Sequence, residues 1–250
     1  MAFGREGALA LALTLLLAGA ASAAEPLRRA TVWDLKLGAA IADQPPADAF
    51  RAFACGSNGG PPHQKLAGWA DFGRCPPEPD GLREVYFEYD DELEYIARAR
   101  DIESEVTRWA GTTESAFPVI ASALFDAEGR LAGIRLVTDA RPDHRNDIIE
   151  ANLRKREDAY LFGGVMAARF GILAQKDCTS LPPAEGESAV GPSFIKQQCE
   201  KSDPATHRRI ALRASLYRKP GQSGTNPRAP SELTRGQFES AARVEIYWTP

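Results

Sequence analysis

The 250-residue chain lacks the short-range signatures that most often betray an activity. It has no C-x-x-C pair, which leaves a thioredoxin-type redox site unsupported, and no C-x-x-C-H, which excludes covalent c-type haem as a motif match. Zinc sites usually show more closely spaced ligand pairs than its cysteines provide. No Ser sits in a G-x-S-x-G elbow; Gly186-Glu187-Ser188-Ala189-Val190 lacks the final glycine. Histidine is scarce, with His63, His144 and His207 far apart in sequence. Beyond the first two dozen residues, no apolar run approaches the ~20 residues that a membrane-spanning helix needs. A dense basic face is also missing, and this makes nucleic acid a poor partner, because phosphate binding demands one.

What is present begins at the first residue. Arg5 precedes an apolar Ala/Leu run from Ala8 to Ala20, which ends in the small residues Ala21-Ser22-Ala23. That is the layout of a cleavable secretory signal, so residues 1–23 are set aside from the fold and a periplasmic location is expected. No cysteine follows the run, so a lipid anchor is not expected. The remaining residues suit one large or two small units. Charge divides unevenly: Glu25 to Arg135 carries a net of -7, and Leu136 to Pro250 a net of +3, within a total of -4.

Four cysteines, Cys55, Cys75, Cys178 and Cys199, form an even set in a chain expected to be exported. That predicts two disulfides. The pairing Cys55–Cys75 and Cys178–Cys199 is preferred because each pair brackets a Gly/Pro-rich loop of about twenty residues, a span whose closure stabilises by roughly 3 kcal/mol.

Periodicity predicts a mixed chain. Thr31 to Leu37 reads as a strand and Ala47 to Cys55 as a short helix with Phe50 and Phe53 on one face. Gly56 to Pro62 reads as a plain loop. Leu82 to Tyr89 alternates as a half-buried strand, with Val85, Phe87 and Tyr89 inward and Glu84, Tyr86 and Glu88 outward. Val119–Phe125 and Leu131–Thr138, joined by Asp126-Ala127-Glu128-Gly129, form the clearest hairpin. The Tyr89-Asp90-Asp91-Glu92 and Phe125-Asp126-Ala127-Glu128 segments resemble each other, which allows a degenerate repeat. Asp143 caps an expected long helix through Ile149, Leu153 and Tyr160, weakened or ended at Gly163-Gly164. Cys178 to Cys199 reads as mostly loop, Ile210 to Leu216 as a strand, and Arg243 to Trp248 as a terminal strand tied into a sheet. The fold class expected is α+β: antiparallel hairpins packed with a few helices and stapled by two disulfides. The division expected is an N-terminal unit, 24–140, and a C-terminal unit, 141–250, which together can form one composite domain.

Three constellations stand out as candidates. The acidic cluster Glu88, Asp90, Asp91, Glu92 and Glu94 could offer oxygen ligands to calcium, but its spacing is not that of an EF-hand, and a solvated hairpin tip explains it as well. His144, beside Asp143, could serve as a general base. The tryptophans Trp33, Trp69, Trp109 and Trp248, with Tyr86, Tyr89 and Tyr95, fit a core better than a ligand groove. No catalytic residue, metal site or resident cofactor is assigned. The function expected is a non-enzymatic binding or cell-envelope accessory module with a protein or small-molecule ligand. The alternative is a small periplasmic hydrolase using His144 or clustered carboxylates.

Overall fold

The computed structural model describes residues 30–89, 100, 112–115, 117–139, 158–222 and 238–250. Within them the chain builds one open antiparallel sheet. Its strands are β1 (Arg51–Cys55), β2 (Arg83–Glu88), β3 (Thr113–Glu114), β4 (Phe117–Phe125), β5 (Leu131–Thr138), β6 (Cys178–Ser180), β7 (Ile195–Asp203), β8 (Arg208–Tyr217) and β9 (Glu239–Trp248). The order across the sheet is β1-β2-β4-β5-β9-β8-β7-β6, with β3 paired to the start of β4. The C-terminal strand β9 therefore sits between β5 and β8, and it joins the strands on either side of residue 140 into one sheet. The expected antiparallel sheet, few helices and two disulfides are all present, but the balance lies further towards sheet than α+β implies.

Strict alternation sorts the side chains onto two faces. One face carries Val85, Phe87, Ala121, Ala123, Phe125, Ile134, Leu136, Leu212, Val244 and Ile246, and it is the main core. Phe50, Phe53, Trp69 and Phe87 pack edge to face over it, with ring centroids 4.6–6.3 Å apart. The core readings of Trp69 and Tyr89 hold, at 5% and 1% exposure. Trp33 and Trp248 are half-buried. Trp109 and Tyr95 lie outside the described residues.

Several local readings are corrected. Thr31 to Leu37 is not a strand. Asp34 Oδ2 accepts from Thr31 N at 2.9 Å and closes a capping box around a single 3₁₀ turn, Val32–Asp34, so the T-x-x-D spacing outweighs the β-branched residues. Ala47 to Cys55 is helical only over Ala47–Ala49; from Arg51 it is β1, because pairing with β2 satisfies backbone groups that a lone turn could not. The Cys178–Cys199 segment contributes strands at both ends, β6 and the first half of β7. The expected helix through Ile149 and Leu153 falls outside the described residues, as does the Tyr89-Asp90-Asp91-Glu92 turn beyond Tyr89.

Gly163 and Gly164 do not end a helix. They lie inside α1 (Leu161–Arg169), which covers the core face of β8 and β9 and is followed by the short α2 (Ala174–Asp177). A Cβ on Gly163 would stand 2.9 Å from Ala214 Cβ, so the missing side chain sets how closely α1 meets the sheet. At Gly164 nothing lies within 4 Å. Gly164→Ala should therefore stabilise the fold by about 0.5–1 kcal/mol through helix propensity alone. Gly163→Ala should give no gain or a loss, because the packing penalty opposes the same propensity. Thermal melts of the two variants check this; equal gains would contradict the packing account.

Candidate functional site

The second face of the sheet is polar at its centre. Arg135 on β5 points into it and is only 2% exposed. Register sets Arg135 opposite Glu245 of β9 and Ser122 of β4. Its Nε donates to Glu245 Oε1 at 2.8 Å. Its two terminal nitrogens grip Glu78 in a fork, at 2.6 and 2.9 Å. Glu84 of β2 lies 3.0 Å from the same guanidinium. Such bidentate, charge-assisted contacts are the strong form of an ion pair.

Glu84 also holds a loop. The N–H groups of Asn58 and Gly59 both donate to its carboxylate, Gly59 at 3.1 Å. Asn58 and Gly59 have φ of 58° and 78°, the left-handed conformation that lets successive N–H groups converge on an anion. A Cβ on Gly56 would collide with Glu84, so this glycine makes room for the carboxylate. Arg243 of β9 completes the cluster, donating to Asn58 O at 2.9 Å and to Glu245 Oε1 at 2.7 Å. The Gly56–Pro62 segment is thus a bound strap rather than a plain loop, and it lies over β5, where Gly59 meets Val137.

The electrostatics follow from this packing. Burial works against the Arg135 charge, but Glu78, Glu84 and Glu245 together hold it firmly protonated. Burial alone would raise the Glu245 carboxyl; hydrogen bonds from Arg243 and Arg135 overcome it and lower the pKa to about 2. Glu78 is lowered chiefly by its hydrogen bonds from Arg135, against the opposing effect of burial. Tyr247, next to Glu245, is raised by burial and by that carboxylate.

The sign of the pH effect is fixed by these directions. A carboxylate with a depressed folded pKa stabilises above its unfolded value, and the stabilisation is lost as pH falls through the folded value. For Glu245 that window runs from 4.5 down to about 2. The melting temperature should hold near neutrality and fall progressively across this window, and Glu245→Gln should flatten the fall. A melting temperature independent of pH from 5 to 2 would contradict the cluster's role.

Of the residues singled out in the sequence, Glu88 is described. It ends β2 on this second face and accepts from Tyr86 OH at 2.7 Å. Asp90, Asp91, Glu92, Glu94 and His144 lie outside the described residues. His63 is exposed beside β1, and His207 is exposed in the β7–β8 turn, its Nδ1 3.2 Å from Thr249 O. Both disulfides form as expected, Cys55–Cys75 and Cys178–Cys199. Among the described residues no group of three or more His, Cys, Asp or Glu is placed to hold a metal ion.

Sequence reasoning missed the Arg135 cluster. Glu84 was expected on the outward face of a half-buried strand, yet it is 2% exposed, because the strap and the Glu78 loop cover that half of the sheet; Tyr86 on the same face is 6% exposed, in line with its reading as a core residue. The available signal was a charged residue inside each of two apolar strands, Ile134-Arg135-Leu136 and Val244-Glu245-Ile246. A charge so placed needs a partner across the ladder.

No family model matches this chain, and no curated protein or solved structure matches it significantly.

Proposed function

We propose that this is an exported periplasmic protein that works as a non-enzymatic binding or cell-envelope accessory module. The observation that carries this reading is the open sheet whose second face, among the described residues, is covered by loops over β2, β4 and β5 and leaves Arg213 of β8 exposed, with a disulfide near each edge. Disulfides persist in oxidising compartments such as the periplasm, which agrees with the secretory-type leader. The ionised cluster supports binding over turnover. Glu78 and Glu245 are held below the ordinary carboxylate range by guanidinium groups, whereas acid–base catalysis works best with a pKa near the operating pH. Their contacts tie loops to the sheet and so build a rigid platform.

Cross-linking in intact cells, followed by recovery of the chain from the periplasmic fraction, tests this. A discrete cross-linked envelope partner is expected. Recovery of the chain only from the cytoplasm, free of any cross-linked partner, would contradict it.

A further inference from the structure

The second face is polar on both sides of β9, but among the described residues loops cover only the β2–β5 side. Over β2, β4 and β5, two loops bring Glu78 and the Asn58 strap down onto Arg135 and Arg243. Over β7 and β8 the same face continues with Gln198 and Glu200 on β7 and Arg209, Ala211 and Arg213 on β8. Arg213 is exposed, and among the described residues it makes no hydrogen bond or ion pair. Register places it directly opposite Arg243. Like charges facing each other across a ladder repel, and an anion laid between them removes the penalty. Arg209, four residues along β8 and roughly 13 Å away at strand rise, shares the face. It is pre-positioned over the Tyr247 ring at 4.7 Å and reaches Glu200 only at 3.5 Å, in an exposed pair of little worth. The small residue Ala211 leaves the floor between the two arginines low, and Ser215 continues it beyond Arg213.

We propose that this open half, β7 to β9, docks an extended acidic polypeptide segment of a partner, with carboxylates received by Arg213 and Arg209. The proposal rests on the binding-module reading and names the kind of partner. The covered half is its template: there, the Glu78 loop is held on this same face through a carboxylate-to-guanidinium fork on Arg135. Guanidinium groups match carboxylates in this planar, paired way. Charge distribution favours a peptide over a lipid surface or nucleic acid. Glu200 and Glu245 stand among the three arginines, so the patch is a set of discrete cationic points rather than the dense basic field those polyanions need.

The test uses the mature chain and a fluorescent ten-residue peptide of alternating Glu and Thr, with a Gln-Thr peptide as control, at low and physiological salt. The Glu peptide should bind, weaken with salt, and bind at least tenfold more weakly to Arg213→Glu, whose melting temperature should equal or exceed the parent's because the exposed side chain has no partner among the described residues and its replacement relieves the repulsion with Arg243. Equal binding of the Gln peptide, equal binding by Arg213→Glu, or no binding of the Glu peptide would overturn the proposal. Tighter binding to vesicles containing anionic lipid than to the peptide would overturn it in favour of a membrane surface. A parallel pull-down from envelope extract separates the two levels. An envelope component retained equally by parent and Arg213→Glu overturns the docking site but leaves the binding-module reading standing. Retention of no component, with no peptide binding, overturns both.

Discussion

Arg135→Met should lower the unfolding free energy by about 3–5 kcal/mol, the usual cost of removing one partner from a buried ion-pair network. The reason lies in what is left behind. Glu78, Glu84 and Glu245 converge on one guanidinium, and the side chains of Glu84 and Glu245 are 3% and 12% exposed. Without Arg135 they would repel one another where little water can screen them. Against a total stability of 5–15 kcal/mol for an ordinary domain, this loss is large. Urea unfolding of parent and variant reads it directly. Adding Glu78→Gln and Glu84→Gln to Arg135→Met should recover part of the loss, because neutral amides do not repel and groups sharing one network are not additive. A loss under about 1 kcal/mol would mean that the cluster behaves as a set of solvated surface pairs.

The second large effect is expected at Cys55–Cys75. Replacing both residues by Ala should cost about 3 kcal/mol from loop-closure entropy alone, given a separation of 20 residues. Cys178–Cys199 closes a loop of nearly the same size, with a separation of 21, so on chain entropy the two bonds are equal. The structure distinguishes them. Cys55 and Cys75 are 0% and 1% exposed within the aromatic core, and their loop carries the Asn58–Gly59 strap that caps Glu84. Cys178 is partly exposed on an edge strand of three residues. Loss of the first bridge should therefore exceed loss of the second, and it should couple to Arg135→Met in a double-mutant cycle. Equal losses with no coupling would show that the strap is held without the disulfide.

Much of the sheet was legible because its signals are local. The β4–β5 hairpin is announced by apolar-rich strands on both sides of the turn Asp126-Ala127-Glu128-Gly129. In the fold, Asp126 Oδ1 accepts from Glu128 N and Arg130 N, and Gly129 takes a φ of 76°. β8 and β9 likewise show their inward residues at a period of two. The disulfides were legible from spacing and expected compartment. What escaped was non-local. Phe50 and Phe53 suggested a shared helical face; they do share a site, but it is an aromatic cluster assembled by β2 and Trp69 from elsewhere in the chain. Gly163-Gly164 looked like a break because the contact that needs Gly163 is with Ala214, some fifty residues later. Glu84 looked solvated because its partners, Asn58, Gly59 and Arg135, are joined to it only by the sheet order. The acidic run from Asp90 to Glu94 drew attention because it is contiguous, whereas the polar cluster that organises the described fold is drawn from several elements far apart in the chain.

The protein is proposed to be an exported, disulfide-stapled platform. The most direct test is the intact mass of the chain isolated without reductant from the periplasm of its own cells. The expected mass is that of a chain shortened by residues 1–23 and lighter by the four hydrogens that two disulfides remove. A full-length chain with four free thiols, recovered from the cytoplasm, would contradict it.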